Sequence, residues 1–345
     1  MAELSHVTMV PDFKIVLGGT EITQANTHGL VDLVVEDHVD MMGMAQITLN
    51  PNSGPWKDLK AGDEVEVHFG GGSKAAFKGL LTTKRHAWQQ GQGMLTVTAL
   101  DPTSKLAASR HTRTFEEMTD SEIFEDVIGK AGLETGKVDA TTGKSPHVAQ
   151  RNESDLEFVK RLASRNGYQV MAEEGKINFT KPSFQGDTIE IPSNKLENMD
   201  FDVSDQQIPS ELTVIGWDPV TKAKVEGTAT KSDIESMGSG DGAVDNTGQV
   251  WGEPSFITDV QVTSQEAAKN MAVGELNRLA RSLIKGRATV NGNGQIRAGD
   301  TIKFTKQHEG MAAEGYVVSV RHMFEVGGGH LAQIMFCGNT HTVAQ

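Results

Sequence analysis

Leu59-Lys-Ala-Gly-Asp-Glu-Val-Glu-Val-His-Phe69 and Ile296-Arg-Ala-Gly-Asp-Thr-Ile-Lys-Phe304 are two copies of one pattern, near the two ends of the chain. In each, a Gly-Asp turn feeds a strand. Val65, Val67 and Phe69 alternate with Glu64, Glu66 and His68, the period of two expected when one face is buried and the other wet. Ile302 and Phe304 alternate in the same way. A glycine then opens a second apolar strand, Gly79-Leu-Leu-Thr-Thr in one copy and Gly315-Tyr-Val-Val-Ser-Val in the other. The separations Asp63 to Gly79 and Asp300 to Gly315 differ by one residue. Turn, alternating strand, spacing and second strand agree, which points to duplicated β-modules, two related barrels or sandwiches.

Working outward, strand-like pieces at Phe13 to Leu17, Leu30 to Glu36, Ala45 to Leu49, Glu64 to Phe69, Gly79 to Thr83 and Met94 to Leu100 suggest an antiparallel first module. Gly18-Gly19 reads as a hairpin turn. The chain then changes character. Thr119-Asp-Ser-Glu122 and Ser154-Asp-Leu-Glu157 fit the capping box, in which a hydroxyl and a carboxylate satisfy orphan amides at a helix start. Gly132 and Gly167 supply the stops. Ile123, Val127 and Ile128, then Leu156, Val159, Leu162 and Ala163, make apolar stripes at helical spacing. Glu173-Glu-Gly175 reads as a hairpin turn between Tyr168-Gln-Val-Met-Ala and Lys176-Ile-Asn-Phe-Thr. From Asp205 strand character returns with Glu211-Leu-Thr-Val-Ile-Gly-Trp217-Asp-Pro219, followed by the glycine-rich loop Met237 to Gly242. A third capping box, Thr263-Ser-Gln-Glu266, opens a long helix with Met271, Ala272, Leu276, Leu279, Leu283 and Ile284 on one face.

The expected fold is thus mainly β with an α+β insertion. It divides into residues 1–100, a first tube-like β-barrel; 101–204, a small α+β insertion domain; and 205–345, a second tube-like barrel with a polar loop near 230–255 and a long helix near 264–285.

The 345 residues suit two or three domains, and 37% hydrophobic with 23% charged residues describes a globular chain. No apolar run is long enough to span a membrane, and the start carries no leader pattern. Cys337 alone cannot form an internal disulfide, which suits synthesis in a reducing cytoplasm, and it reads as a small hydrophobe in the last strand. A formal charge of −14 without a basic stripe argues against a phosphate-neutralising nucleic-acid binder.

The search for chemistry nominates no catalytic, cofactor-binding or metal-binding residue. Gly143-Lys144-Ser145 lacks the leading glycine of a phosphate loop, since position 138 is Val138. His308-Glu309 lacks the second histidine of a zinc helix. Ala243 and Thr247 stand where a calcium loop would need oxygen ligands. Carboxylates are abundant, but none is singled out as the pair that glycoside cleavage would need.

Three segments carry a family resemblance. His147-Val-Ala-Gln-Arg-Asn-Glu-Ser-Asp-Leu-Glu-Phe-Val-Lys-Arg-Leu-Ala-Ser-Arg-Asn-Gly-Tyr168 resembles the Gln, acidic residue, Asp and Phe-bearing helix ending in Gly-Tyr of the late control protein D and VgrG superfamily. Ala99 to Leu106 with Phe115 to Leu133 resembles that family's passage from first barrel into helical insertion. Val214-Ile-Gly-Trp-Asp-Pro219 and the stretch Arg297-Ala-Gly-Asp300 to Arg321-His322 resemble its second barrel. The resemblance implies a structural baseplate hub rather than an enzyme, in a contractile phage tail, a pyocin or a related injection particle. Two tube-like barrels per chain would let a homotrimer present six to the hexameric tail tube while offering threefold symmetry to the spike. Its partners would be the tube protein, the spike and other baseplate proteins, with tape measure or cargo as further candidates, no cofactor and no stable nucleic-acid or membrane binding. Only Gly338 to Gln345 follow the last strand, which implies a separately encoded spike. Alternatives are a hub that cleaves peptidoglycan, or a VgrG-like tip with cargo contacts at residues 230–255. Synthesis in the bacterial cytoplasm and action in the assembled particle complete the expectation.

Overall fold

The structure is a computed structural model and describes residues 12–70, 74–89, 91–184, 188–206, 208–237, 241–242, 254–258, 262–305 and 314–341. The first strands are β1 (Phe13–Leu17), β2 (Thr20–Thr23), β3 (Leu30–His38), β4 (Met44–Leu49), β5 (Glu64–Phe69), β6 (Phe77–Gln89) and β7 (Gln92–Leu100). Their alternating apolar residues turn to one side and form a core that includes Ile15, Leu33, Ile47, Val67 and Val97. Gly18 and Gly19 hold φ of 55° and 82°, so the β1–β2 hairpin closes in two residues with both in the left-handed region that glycine tolerates. The largest departure from expectation among these strands is β6, which runs on past Thr83 to Gln89. Thr82-Thr83-Lys84-Arg85-His86 shows no apolar alternation because Thr82 through His86 are exposed on both faces, and pairing to β7 alone holds them extended.

The following segment contains α1 (Thr103–Ala107), β8 (Arg110–Phe115), α2 (Asp120–Lys130), β9 (Thr135–Val138), β10 (Val148–Ser154), α3 (Asp155–Asn166), β11 (Gln169–Glu173) and β12 (Lys176–Thr180). Both capping boxes form, on Thr119 and on Ser154. Each helix ends on its glycine, Gly132 at φ 67° and Gly167 at φ 68°. Leu133 N–H reaches back to the Ile128 carbonyl at 3.1 Å, and Tyr168 N–H to that of Ala163 at 2.9 Å, the reach of a Schellman stop. Phe124, Phe158, Leu162 and Phe179 join these helices and strands in a core of their own.

Ahead of residue 204 lie β13 (Ile189–Ile191) and β14 (Leu196–Val203), then β15 (Glu211–Asp218), β16 (Ala223–Thr230), β17 (Asp241–Gly242), β18 (Ser255–Thr258), α4 (Gln265–Ala280), β19 (Ile284–Asn291), β20 (Thr301–Phe304), β21 (Glu314–Glu325), β22 (Gly329–Gly338) and β23 (Thr340–His341). Strands β13 and β14, on the insertion side of the expected division at 204, pair with β20 and β19. Ile191 belongs to the C-terminal core, and Ile189, Met199 and Phe201 pack against it, so burial draws this stretch to the second module. Conversely, Val214 to Asp218, expected in the second module's main sheet, lies in the separate sheet β16-β15-β18 that α4 covers. Helix α4 is capped by Ser264, whose hydroxyl accepts from Ala267 N–H, one residue later than the Thr263 box expected. Its expected single face is also split. Ala272 and Leu276 enter the core under α4, whereas Leu283 and Ile284 enter the C-terminal core because the helix stops at Ala280.

A thirteen-stranded sheet contains both modules. The first runs β3-β4-β7-β6-β5-β1 and the second β14-β19-β22-β21-β20-β13. The repeat extends to single atoms. Gly62 and Gly299 hold φ of 94° and 92°. Lys60 N–H donates to Asp63 Oδ2 at 2.7 Å, as Arg297 N–H does to Asp300 Oδ2 at 2.7 Å. Leu81 N–H donates to the Asp63 carbonyl at 2.8 Å and Val317 N–H to that of Asp300 at 2.9 Å. Gly79 stands opposite Val65 and Gly315 opposite Ile302. The register then shifts at Leu81/Thr83 in β6 and at Val317/Ser319 in β21, and again at Leu30/Asp32 in β3 and Leu196/Asn198 in β14. The sole departure among these neighbours is that β1 runs antiparallel to β5 whereas β13 runs parallel to β20.

Candidate assembly interface

The two modules meet where β21 lays its second half along β3, antiparallel, from Ser319 opposite His38 to Glu325 opposite Asp32. Phe324 crosses into the first module's core, 3% exposed, with its ring centroid 4.6 Å from that of Phe13. On the wet face Arg321 Nε lies 3.3 Å from Glu36 Oε1. Such a half-exposed pair contributes at most about 1 kcal/mol, so it specifies register more than it stabilises. The apolar residues beneath it supply the bulk of the energy.

Beside this seam sits a buried polar cluster. Asp37 Oδ2 accepts from Ala298 N–H at 2.9 Å. Burial pushes its carboxyl up to about 6, against the opposing pull of that N–H and of Arg297. Arg297 Nη1 donates to the carbonyls of Gly294 at 2.7 Å and Ile296 at 2.9 Å, and burial lowers its guanidinium from the ordinary value. His322 Nδ1 is 3.1 Å from His330 Nε2, and the two rings stack. Burial, with Arg297 nearby, holds His322 well below the ordinary imidazole range and His330 at about 4. Both rings are therefore neutral at physiological pH. A cleft of about 610 Å³ opens here, reached by Lys74, Glu173, Asp300 and Tyr316. The inserted segment docks on the seam through Tyr316 O–H, which donates to Gln169 Oε1 at 2.7 Å, and through Val170 N–H, which donates to Asp40 Oδ1 at 2.8 Å.

The buried carboxylates of this cleft hold backbone. Asp300 accepts from Arg297 N–H, Asp37 from Ala298 N–H, and Asp101 from Gly43 N–H at 2.6 Å and Thr103 N–H at 2.8 Å. Burial raises all three, but each is committed to a turn or a strand end rather than aimed into open space. Among the described residues no three His, Cys, Asp or Glu side chains gather into a metal site, and no helix is long and apolar enough to cross a membrane.

Lys144 lies 3.9 Å from Glu122, an exposed ion pair beside the start of α2. Cys337 stands in β22, where burial pushes its thiol up to about 11. His308 and Glu309 fall outside the described residues, as does most of the loop near 230–255, whose Asp241–Gly242 pairs with Thr340–His341. Two features escaped the sequence reading. One is the outer half of β6, from Thr83 to Trp88, which has β7 on one side and no strand on the other among the described residues. The other is β14, the terminal strand of the sheet. A strand-length polar run ending in an aromatic residue is the signal that could have located the first. Trp88 is 74% exposed at its end.

The sequence profile of the Alg8 N-terminal domain family matches residues 7–325. A probable baseplate hub protein of Escherichia phage P2 is 27% identical over 178 residues, which is 50% of this chain and 46% of that protein. The chain thus spans about half the length of that relative. A tail protein of Neisseria meningitidis MC58 superposes with a TM-score of 0.71 at 13% identity, over 95% of this chain and 97% of the other. A type VI secretion component of E. coli, described as structurally similar to bacteriophage T4 tail proteins, gives a TM-score of 0.60 at 12% identity, over 92% and 77%. The fold is that of these tail proteins, and the sequence is similar to that of phage baseplate hubs.

Proposed function

The chain belongs to the Alg8 N-terminal domain family, and from its similarity to phage baseplate hub proteins we propose that it is a structural baseplate hub of a contractile injection particle. In this reading a homotrimer adapts the sixfold ring of a tail tube to a threefold spike, and other baseplate proteins pack around it. The observation that carries the proposal is the duplication within one chain. Two modules share strand order, turn hydrogen bonds and both register shifts, so three chains offer six equivalent modules while keeping a threefold axis. Each module is read as a tube-like barrel. The inserted α+β segment, between residue 100 and the start of the second module ahead of Ile189, is read as a brace against the seam.

No carboxylate pair in the seam favours peptidoglycan cleavage, and the hub acts through its interfaces. The test is the mass of the purified protein by light scattering over a range of concentrations, alone and with a tail-tube protein from the same source. A trimer that binds tube rings is expected. A monomer that stays monomeric with the tube protein present would refute the reading.

A further inference from the structure

A second cleft, of about 350 Å³, opens where the inserted segment, α4 and the second module converge. Two helices supply its polar groups at matching spacings. Lys160, Ser164 and Gly167 line it from α3 and the residue that stops it, and Gly274, Arg278 and Arg281 from α4 and the residue that follows it. Steps of four and three residues put each set on one helical face. The two glycines bring the backbones together so closely that a Cβ added at Gly167 would stand 2.5 Å from the Gly274 Cα. Backbone contact therefore fixes how the cations of one helix stand to those of the other.

The charges of this cleft do not balance. Arg278 is committed to Glu275, with Nε 2.7 Å and Nη2 2.5 Å from its two carboxylate oxygens. Lys160 and Arg281, both half-buried, are in no ion pair among the described residues. The one carboxylate in the lining is Asp40, and it already accepts from Val170 N–H. Burial raises its carboxyl, and that N–H, Lys160 and Arg281 pull against the rise. Arg281 also favours the ionised forms of Tyr316 and Cys337, so its charge reaches the far wall. Two cations thus face one carboxylate held by backbone, in a chain whose formal charge is −14. The remaining wall is apolar, with Tyr168, Pro182 and Val318. Met41 and Met42, 60% and 39% exposed, directly follow Asp40.

We propose that this cleft binds a short acidic segment of a partner polypeptide, its carboxylate held by Lys160 and Arg281 and an adjoining apolar side chain set against Tyr168 and Val318. The exposed Ser164 hydroxyl offers a neutral donor beside them. A preset pair of cations binds an anion without the cost of ordering itself. The net charge of the chain repels an extended polyanion such as nucleic acid, whereas a short segment brings its one or two charges to the cleft alone. The inference is independent of the hub reading, since every group it uses belongs to one chain.

A fluorescein-labelled hexapeptide alternating glutamate and leucine, added to the full-length protein at low ionic strength, is the probe. It is expected to raise fluorescence polarisation and to slow alkylation of Cys337, the one cysteine of the chain and part of the cleft wall, by N-ethylmaleimide. Lys160→Gln with Arg281→Gln is expected to weaken binding by roughly tenfold or more, as is glutamine in place of glutamate in the peptide. Arg287→Gln with Lys303→Gln removes the same charge outside the cleft and is expected to change affinity by less than about twofold. Arg281 also lies at the C-terminal end of α4, and a merely structural role there would lower the melting temperature without changing the preference for glutamate over glutamine. No binding, or binding that the Lys160 and Arg281 changes leave intact, overturns the proposal. Displacement of the peptide by inorganic phosphate or oligodeoxythymidine at equal concentration overturns the carboxylate assignment. Neither failure touches the trimer mass on which the hub reading is tested.

Discussion

Gly62 and Gly299 do the same work in two different surroundings, which makes them a matched pair for measurement. Both hold φ near 93°, where a side chain is strained by roughly 1–3 kcal/mol. An added Cβ at Gly62 meets nothing within 4 Å, whereas at Gly299 it would lie 3.2 Å from the Met171 methyl. Gly62→Ala is expected to destabilise by about 1–2 kcal/mol through strain alone, and Gly299→Ala by more, read from urea unfolding midpoints. The buried titrating groups make a second prediction. His330, held at about 4, and His322, held well below the ordinary imidazole range, carry fewer protons in the native state than in the unfolded chain below about pH 6.5. Stability therefore falls as pH drops through that window. Asp37, at about 6, acts oppositely, since its native carboxyl keeps a proton that the unfolded one has lost, and its contribution falls as pH rises from about 4 to about 6. In unfolding series between pH 7 and 4.5, His322→Gln with His330→Gln is expected to flatten the acid loss. Asp37→Asn is expected to steepen it.

Elements in this chain are terminated by local chemistry and positioned by close approach. Thr119 and Ser154 each accept from the amide three residues on, Glu122 N–H at 3.2 Å and Glu157 N–H at 3.1 Å. Replacing either with alanine is expected to destabilise by about 1 kcal/mol. Glycines inside helices show why position outranks type. Gly129 in α2 is exposed and open, so Gly129→Ala is expected to stabilise by about 0.5–1 kcal/mol through helix propensity. Gly274 in α4 lies against Gly167 at the end of α3, where an added Cβ would sit 2.5 Å from the Gly167 nitrogen. Gly274→Ala is expected to destabilise by several kcal/mol despite the better propensity, because backbone must move. Thermal unfolding of the two variants side by side separates these cases.

At the scale of the whole molecule, the seam makes the two modules one mechanical unit. Phe324 belongs to the C-terminal half of the sequence but to the N-terminal core. Phe324→Ala is expected to destabilise by about 3–5 kcal/mol, and amide exchange is expected to quicken in β3 as well as in β22. Faster exchange confined to β22 would show that the modules open independently. A shared core resists shear better than two domains joined by a linker.

Much of this was written locally. Turns, caps and strand alternation depend on neighbours within a few residues, so Gly18-Gly19, the Thr119 and Ser154 boxes, the stops at Gly132 and Gly167 and the repeated Ala-Gly-Asp turn could be read from the chain. The duplication itself was legible for the same reason, because each copy carries its own turn. Contacts between distant segments have no such local mark. Ile189-Glu-Ile191 is too short to show a period, and its partner β20 lies more than a hundred residues away. The α4 face looked continuous because helical spacing runs on through Leu283 and Ile284, although the chain turns out of the helix at Ala280 and serves a second core. The polar outer half of β6 gave no strand signal because neither of its faces is buried within its own chain. Sequence alone determined the repeated β-modules and the capped helices, since local sterics and hydrogen bonding encode them, and its segment-by-segment resemblance gave the likeness to baseplate hubs. Only the tertiary structure decided which strands share a sheet, how β21 and β3 join the modules, and which edges stay open, since burial between remote residues settles those choices.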